Sequence, residues 1–336
     1  MSKEVKEPAV RMIKRDTIST AKAWGIRLIA VVLSLIVAGL VIVAITKQNP
    51  LQVYLGIVDG AVGSSRRVWV TIRETLVLLC IAIGLTPAFK MKFWNIGAEG
   101  QFYMGAFGAA SMAFMCPDLP PILLLPLMCV AGFICGGLWA LIPAVIKAKF
   151  GASETLVTLM MNYIAIAFIS YLQYGPWKDP AALGAAKVPN FSENAVLPDV
   201  FGIHAGWIIM LVLVIIMTIL LRYTKLGYQI DVIGESETTA KYAGMNTVKI
   251  LVIAVLISGG LCGMAGFMQS SAVEKSITDS MSAGLGFTAV ITAWLAKLKP
   301  PVIVVASFMF SILLQSGSSL QVMKIPSSIT EIMQGV

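Results

Sequence analysis

Residues with the chemistry to catalyse a reaction or to hold a metal are few in this chain. His204 is the only histidine, so a nucleophile relay or a multi-histidine metal site would depend on one residue. The five cysteines form no CxxC pair, and no GxxxxGK phosphate loop ending in Ser or Thr is present. We therefore expect no enzyme activity, no cofactor and no metal site, and we interpret His204 as an interfacial histidine near a helix start.

Polar side chains in apolar surroundings are stronger candidates, because burying such groups is costly unless they have partners. Asn95, Glu99 and Gln101 follow Lys90 and Lys92 and open an apolar segment, with Asn95 as its predicted N-cap. Glu99 has two possible roles, a structural pair with a base such as Lys90 or Lys92, or a position along a path for a solute. We favour the structural role, since an unpaired buried carboxylate would be costly.

Two further groups have helical spacing. Thr158 and Asn162 lie four residues apart and therefore on one helical face, where they could hydrogen-bond a polar ligand or another helix. Phe287, Thr288 and Trp294 belong to a short apolar segment, and the two aromatic rings could stack on a flat ligand or simply fill the core. We take all these polar and aromatic residues as candidates for a path through the protein.

The elements that carry these residues must lie in a membrane. The 336 residues are 58% apolar and only 12% charged, about half the charged fraction of a soluble domain. So few charges cannot cover a water-facing surface, and lipid must cover much of the exterior. The formal net charge of +8 would suit a nucleic-acid partner, but basic residues also collect in cytoplasmic loops of membrane proteins.

Charge-poor segments along the chain predict an all-α integral membrane protein, a polytopic helical bundle with nine membrane segments. Segments 75–89 and 280–296 are shorter than the about 20 residues of a full crossing. They predict tilted, broken or re-entrant helices, paired as members of an inverted repeat. The nine segments are 28–45, 75–89, 100–116, 122–146, 155–177, 200–221, 250–273, 280–296 and 301–323.

Basic residues set the predicted orientation. If the segments alternate across the bilayer from a cytoplasmic tail at 1–27, then 17 of the 25 basic residues lie inside and 8 outside, as the positive-inside rule requires. The net charge then marks orientation, and we expect no nucleic-acid partner. The same alternation makes 178–199 an extracellular loop and 222–249 a cytoplasmic loop, both within one transmembrane domain over 28–336.

The cytoplasmic loop contains a predicted short helix, with Ser236 as N-cap, Glu237 at its positive end and Gly244 closing it. A two-turn helix between two spans is not stable on local propensity alone, so we expect a cytoplasmic partner to pack on it. An ordinary solvated linker is the alternative. Tyr242 would fill a pocket on the partner, and small residues would allow close approach. The predicted contact residues are Ser236, Glu237, Ala240, Tyr242, Ala243 and Gly244.

Four phrases identify a family resemblance that covers nearly the whole chain. KLGYQIDVIGESETTAKYAGMNTVKILVIAVLISGGLCGMAG at 225–266 resembles the coupling-helix loop and following helix of permease subunits in ABC importers of the ribose, branched-chain amino acid and nucleoside type. The other three phrases resemble the nucleoside branch most closely. They are FWNIGAEGQFYMGAF at 93–107, KAKFGASETLVTLMMNYIA at 147–165 and GLGFTAVITAWLA at 284–296.

The resemblance implies a permease subunit of the bacterial plasma membrane that forms part of a nucleoside path. Its implied partners are a cytoplasmic ABC ATPase, a second permease subunit and an extracellular substrate-binding lipoprotein. A simple-sugar permease is the alternative within the class, and an ion-coupled secondary transporter is the alternative from another class. On this resemblance Thr158 and Asn162 could bond a nucleobase or ribose, and Phe287 and Trp294 could stack on a base.

The end of the chain carries one more expectation. Nine spans from a cytoplasmic N-terminus leave the C-terminus outside, whereas the family continues into a final helix. We therefore expect a tenth apolar segment after Val336 in the full gene product, which makes 28–336 a permease domain without its final helix.

Overall fold

Helices make up nearly all of the described structure. The computed structural model describes residues 19–182, 184, 186–322, 332 and 334–335. The only strands in this part of the chain form an antiparallel hairpin, β1 Asp199–Val200 with β2 Ile203–His204. The α-helices of the described residues are α1 Thr20–Thr46, α2 Pro50–Val62, α3 Ser65–Lys90, α4 Ala98–Met115, α5 Pro121–Phe150, α6 Glu154–Tyr174, α7 Gly206–Tyr223, α8 Lys225–Glu235, α9 Glu237–Tyr242, α10 Thr247–Met268, α11 Leu285–Leu295 and α12 Pro300–Val322.

The all-α membrane architecture is confirmed. Among the described residues, seven helices are long and apolar enough to cross a membrane: α1, α3, α5, α6, α7, α10 and α12. Each overlaps a predicted segment. The two other predicted segments also form helices, α4 with 18 residues and α11 with 11. α11 is too short for a full crossing, as the sequence predicts for 280–296.

The predicted length of α3 is wrong. The apolar run indicates a short helix over 75–89, whereas α3 has 26 residues. Its first turns contain Arg67 and Arg73, whose charges interrupt the apolar pattern. Each guanidinium has an acidic partner, Asp59 at 2.8 Å and Asp199 at 3.3 Å. Because long basic side chains keep their charged ends in polar surroundings while their stems cover apolar surface, the helix continues through these positions.

The sequence analysis misses α2 and α8. α2 has 13 residues and starts with Pro50 after an Asn49 cap, whose Oδ1 accepts a hydrogen bond from the Leu51 N–H. α8 has 11 residues and lies in the loop predicted for 222–249. Both helices are shorter than a membrane span, so hydropathy over a span-length window does not detect them.

Several predicted boundaries also shift. α1 already begins at Thr20, inside the tail predicted for 1–27, and residues 1–18 lie outside the described residues. α7 begins at Gly206 rather than at residue 200, because the hairpin of β1 and β2 occupies the positions before it. Residues 323–331 are outside the described part of the chain.

The core of the bundle is α10, which packs against α3, α4 and α5. The close approach depends on glycine. A methyl group at Gly263 would overlap the backbone of Gly132 in α5, and one at Gly105 in α4 would overlap Gly263. Lipid tails are as apolar as side chains, so membrane helices associate through small residues and van der Waals contact rather than through hydrophobic burial. The glycines therefore fix the arrangement of the three helices.

Replacing Gly263 by Leu should destabilise the bundle by about 3 kcal/mol or more, because the added atoms meet backbone that cannot move aside. Gly25→Leu is the matched control, since a Cβ at Gly25 meets no atom within 4 Å. Thermal unfolding of the purified variants, followed by tryptophan fluorescence, measures the difference. Equal unfolding midpoints for the two variants would contradict a close-packed α10.

Candidate functional site

A buried hydrogen-bond network surrounds the start of α4. The Asn95 and Gln101 amides exchange two hydrogen bonds of 3.0 and 2.8 Å, and the Asn95 Nδ2 also donates to the Ser258 hydroxyl of α10 at 3.1 Å. The Asn95 Oδ1 accepts from the Gly97 N–H at 3.2 Å. The predicted N-cap is therefore wrong by two residues: Gly97 occupies the cap position, and Asn95 caps the turn that leads into the helix.

Glu99 joins the start of α4 to the start of α11. Its carboxyl group accepts a hydrogen bond from the Ser282 hydroxyl and another from the Gly286 N–H, the latter at 2.8 Å. Glu99 thus lies in the first turn of its own helix and against the first turn of α11, where both helix dipoles favour a negative group. The pair with Lys90 that we considered is wrong, because Lys90 binds Asp231 at 2.8 Å.

The Glu99 contact completes the hydrogen bonds of a helix that begins inside the protein. The first amides of a helix have no intrahelical partner. In α11 the Phe287 and Thr288 N–H groups donate to the Gly284 carbonyl, so Gly286 is the amide that depends on Glu99. A Cβ at Gly286 would lie 2.5 to 2.7 Å from Glu99 atoms, so glycine is required for the contact.

Thr158 and Asn162 lie on the face of α6 that packs against the start of α4, and both are buried. The Asn162 Oδ1 accepts from the Gly100 N–H at 2.8 Å, and its Nδ2 donates to the Ile96 carbonyl at 2.9 Å. The Thr158 hydroxyl donates to the Glu154 carbonyl at 2.7 Å. The structure thus gathers five candidates around the start of α4: Asn95, Glu99, Gln101, Thr158 and Asn162.

An irregular segment leads from the π-helix Gln269–Glu274 to α11. The Tyr103 hydroxyl donates to the Asp279 carbonyl at 2.7 Å, and the Gln173 Oε1 accepts from the Asp279 N–H at 2.9 Å. Non-helical backbone is tolerated at membrane depth only where protein or a cavity supplies its hydrogen bonds. Side chains of α4 and α6 therefore hold the segment that delivers the chain to α11.

α11 carries an exposed aromatic face next to this network. Trp294 stacks on Trp94, with ring centroids 5.3 Å apart and planes inclined by 19°. The two indoles are 41% and 45% exposed, and Phe287, two turns earlier on the same face as Trp294, is 42% exposed. Thr288 is buried instead, and its hydroxyl lies 3.0 Å from the Gln334 Oε1. Of the three candidates on α11, the two aromatic residues are accessible.

The short helix predicted within 222–249 is α9. The Ser236 hydroxyl accepts a backbone hydrogen bond from its first turn, as expected of an N-cap, and Gly244 follows the helix with a left-handed φ of 75°. Ala240 is fully buried and faces the bundle rather than a partner. Tyr242 is 94% exposed, and Ala243 beside it is exposed as well.

α8 connects α9 to α3. Gly234 of α8 packs on the Lys90 carbonyl so closely that a side chain there would overlap it, and Asp231 forms the ion pair with Lys90. Lys90 is the last residue of α3, and the chain that follows leads within nine residues to Glu99. The exposed surface of α9 is therefore joined to the buried network by a short run of direct contacts.

A cavity of about 570 Å³ lies beside α9 on the same side of the bundle. Two ion pairs line it, Lys241 with Glu237 at 2.8 Å and Lys147 with Glu154 at 2.6 Å. Glu237, a predicted contact residue, is thus paired within its own helix. The cavity gives α9 an indented surface, onto which a complementary protein surface could fit.

His204 lies in β2 and is buried, with neither ring nitrogen bonded to any residue that the structure describes. Burial, and after it the positive charge of Arg73, lowers the pKa of His204 to about 4. The imidazole is therefore neutral at pH 7. It packs the hairpin that precedes α7, in keeping with an interfacial histidine near a helix start.

Four residues of the site escape the sequence analysis. Ser282 and Gly286 hold Glu99, Ser258 binds the start of α4, and Trp94 completes the aromatic stack. A serine shortly before a helix is a cap signal that points to Ser282. No spacing could reveal its partner, because Ser282 and Glu99 are 183 positions apart in the chain.

Three curated proteins are similar to this chain over most of their length. The nucleoside ABC transporter permease protein NupB of Lactococcus lactis subsp. cremoris is 28% identical over 303 residues, 87% of this chain and 82% of that protein. The guanosine ABC transporter permease protein NupP of Bacillus subtilis is 30% identical, over 80% of this chain and 78% of its own. The glucose ABC transporter permease protein TsgB13 of Haloferax volcanii is 26% identical, over 96% and 88%.

A family profile, described as branched-chain amino acid transport system, permease component, matches residues 67–336. The match includes the polar network, the aromatic face of α11 and the α9 region. The chain therefore belongs to this family of ABC transporter permeases and is a membrane-spanning transport subunit rather than an enzyme.

Proposed function

We propose that this chain forms part of the path by which an ABC importer carries nucleosides across a bacterial plasma membrane. The observation that carries the proposal is the similarity to NupB and NupP, a nucleoside and a guanosine permease. The bias of basic residues supports a cytoplasmic N-terminus. In this arrangement 28–336 is the transmembrane domain, 178–199 an extracellular loop and 222–249 the coupling loop.

The path needs further subunits. Because the chain has no phosphate-binding loop, ATP hydrolysis falls to a separate cytoplasmic ABC ATPase. A second permease subunit completes the path, and an extracellular lipoprotein delivers the nucleoside. The exposed face of α11 supports the second subunit: Phe287, Ile291 and Trp294 share one helical face that the described residues leave partly exposed.

The aromatic face is the surface we propose for contact with the nucleoside. Flat bases stack on aromatic rings, and each stacked base contributes about 1–3 kcal/mol. Trp94 and Trp294 form a stacked pair with nearly parallel ring planes, and both side chains are partly exposed. The buried residues have another role in this proposal: the polar atoms of Glu99 and Asn162 already have partners in the chain, so these residues position α11 and α4.

A simple sugar is the second candidate substrate. The glucose permease TsgB13 is similar over a larger share of this chain, 96%, than NupB or NupP. A hexose and the ribose of a nucleoside both offer hydroxyl groups for hydrogen bonds. Only the nucleoside also offers a flat base for the aromatic pair, and this difference favours the nucleoside.

Uptake in cells tests the proposed function. We expect a strain without this chain to lose uptake of radiolabelled guanosine and adenosine, and re-expression of the chain to restore it. Excess unlabelled nucleoside should compete with the restored uptake, and excess glucose should not. Competition by glucose without competition by nucleosides would identify a sugar permease. Uptake that persists after collapse of ion gradients, but not after ATP depletion, separates an ABC importer from an ion-coupled carrier.

Glu99→Ala should lower the stability of the protein, whereas Trp294→Ala should lower guanosine uptake. Removing the Glu99 carboxyl group leaves the Gly286 amide without a partner inside the protein, at a cost of about 1–3 kcal/mol, so stability should fall. Trp294→Ala should leave the unfolding midpoint nearly unchanged but reduce guanosine uptake about tenfold, the equivalent of one lost stacking contact. Leu295→Ala, at an exposed neighbour, is the control for Trp294. A change of ligand preference at normal stability in Glu99→Ala would contradict the positioning role.

We propose that α9, with Ser236, Glu237, Tyr242, Ala243 and Gly244, is the contact surface for the ATPase. Movement of α9 would reach α3 through the contact between Gly234 and Lys90 and would then reach the network around Glu99. Two observations support this role: α9 is too short to be stable alone, and its tyrosine is almost fully exposed. Exposed tyrosines are common anchors at protein interfaces.

Tyr242→Ala should reduce uptake and co-purification of the ATPase by tenfold or more, since an interface anchor contributes about 2 kcal/mol or more. Tyr223→Ala is the matched control, because Tyr223 is an exposed tyrosine at the end of α7, outside α9. Co-purification from detergent extracts and guanosine uptake are the two measurements. Equal loss in both variants would show that α9 is not the specific contact.

A further inference from the structure

The ends of three helices converge on a second cavity, separate from the network around Glu99. It has a volume of about 560 Å³, within the range of small-molecule sites. Lys90, Arg222 and Lys297 reach it from the ends of α3, α7 and α11, and Lys299 and Asp231 complete its polar lining. We call this the basic cavity. It lies on the side of the bundle that the charge bias predicts to be cytoplasmic.

The charges of the basic cavity are unbalanced. Asp231 is the only acidic residue among the described residues that line it, and Lys90 binds its carboxylate at 2.8 Å. Arg222, Lys297 and Lys299 have no acidic partner in the part of the chain that the structure describes. A lysine or arginine at the end of one helix is common, because it complements the helix dipole. Three unpaired cations around one cavity are attractive to an anion.

Side chains, rather than a helix N-terminus, must supply this attraction. α12 starts at the cavity with Pro300 and Pro301, which have no N–H to donate. The turn before it holds Lys297 and Leu298 at left-handed φ angles of 52° and 55°, which L-residues rarely adopt. Leu298 is buried, and this fixes the turn that presents Lys297 and Lys299.

The basic cavity also has an apolar side. Leu221 of α7, Leu298 of the turn, and Pro301 and Val302 of α12 line it together with the cations. A cavity that combines cations with apolar side chains suits a ligand with an anionic head and an apolar tail.

We propose that the basic cavity binds the phosphate headgroup of an anionic phospholipid, whose glycerol and upper acyl chains lie against the apolar residues of the same cavity. Basic pockets between membrane helices on the cytoplasmic side have the chemistry to hold such headgroups. Arg222 supplies a planar fork of donors for the phosphate, and Lys297 and Lys299 supply point charges. The site is independent of the proposed path. The lipid would brace α7 against the turn between α11 and α12.

Thermal unfolding of the full chain in neutral detergent tests the proposal. Added dioleoylphosphatidylglycerol should raise the unfolding midpoint by about 5 °C at saturating lipid. Dioleoylphosphatidylcholine, which has no net charge, should not. The combined variant Arg222→Gln, Lys297→Gln and Lys299→Gln should lose the shift. The control variant Lys92→Gln, Lys149→Gln and Lys249→Gln removes the same charge from exposed lysines outside the cavity and should keep it.

Each other outcome has a definite meaning. An equal shift with inorganic phosphate alone would identify a free anion rather than a lipid. An equal shift with phosphatidylcholine, or a shift retained by the cavity variant, would overturn the site. If the combined variant does not fold, Lys297→Gln alone should lose part of the shift. Native mass spectrometry gives a second readout: phosphatidylglycerol should co-purify with the control variant and be depleted in the Lys297→Gln protein.

Discussion

A helix that begins inside a membrane protein leaves backbone amides where no water can reach them, and this constraint governs the centre of the structure. α11 begins inside the protein, after an irregular segment that connects it to the π-helix Gln269–Glu274. The carboxyl group of Glu99 accepts a hydrogen bond from the Gly286 N–H and so gives one of these amides a partner. Because Glu99 also lies in the first turn of α4, the dipoles of both helices stabilise its carboxyl group. One side chain therefore couples the starts of two helices that are distant in sequence.

The other buried polar residues likewise form hydrogen bonds with polar groups around the start of α4. The side-chain amides of Asn95 and Gln101 hydrogen-bond to each other, and Asn95 also bonds Ser258 of α10. Asn162 of α6 accepts a hydrogen bond from the Gly100 N–H in the first turn of α4. Polar groups buried in this way specify the arrangement of the helices, because any other arrangement would leave them without partners. Trp94 and, on α11, Phe287 and Trp294 lie near the network and stay partly exposed among the residues that the structure describes.

Glycine contacts also join the region of α8 and α9 to the rest of the bundle. Gly263 brings α10 against α4 and α5, and Gly234 brings α8 against the last residue of α3. Backbone in contact with backbone transmits displacement without the slack of a flexible side chain. A continuous run of contacts therefore leads from α9 through α8 to α3 and the start of α4, where Glu99 holds α11. The basic cavity lies at the same end of the bundle and shares Lys90 with this link.

The sequence by itself determined the membrane class, the approximate position of each span-length helix among the described residues, and the N-cap at Ser236, because composition, hydropathy and capping are local signals. It placed the start of α3 too late, because Arg67 and Arg73 look in the sequence like the end of a membrane helix, although each forms an ion pair within the fold. It missed α2 and α8 because both are shorter than a membrane span. Only the tertiary structure decided the partners: Ser282 rather than Lys90 for Glu99, and Trp94 for Trp294. Contacts between distant segments depend on how the helices pack, and spacing along the chain does not encode that packing.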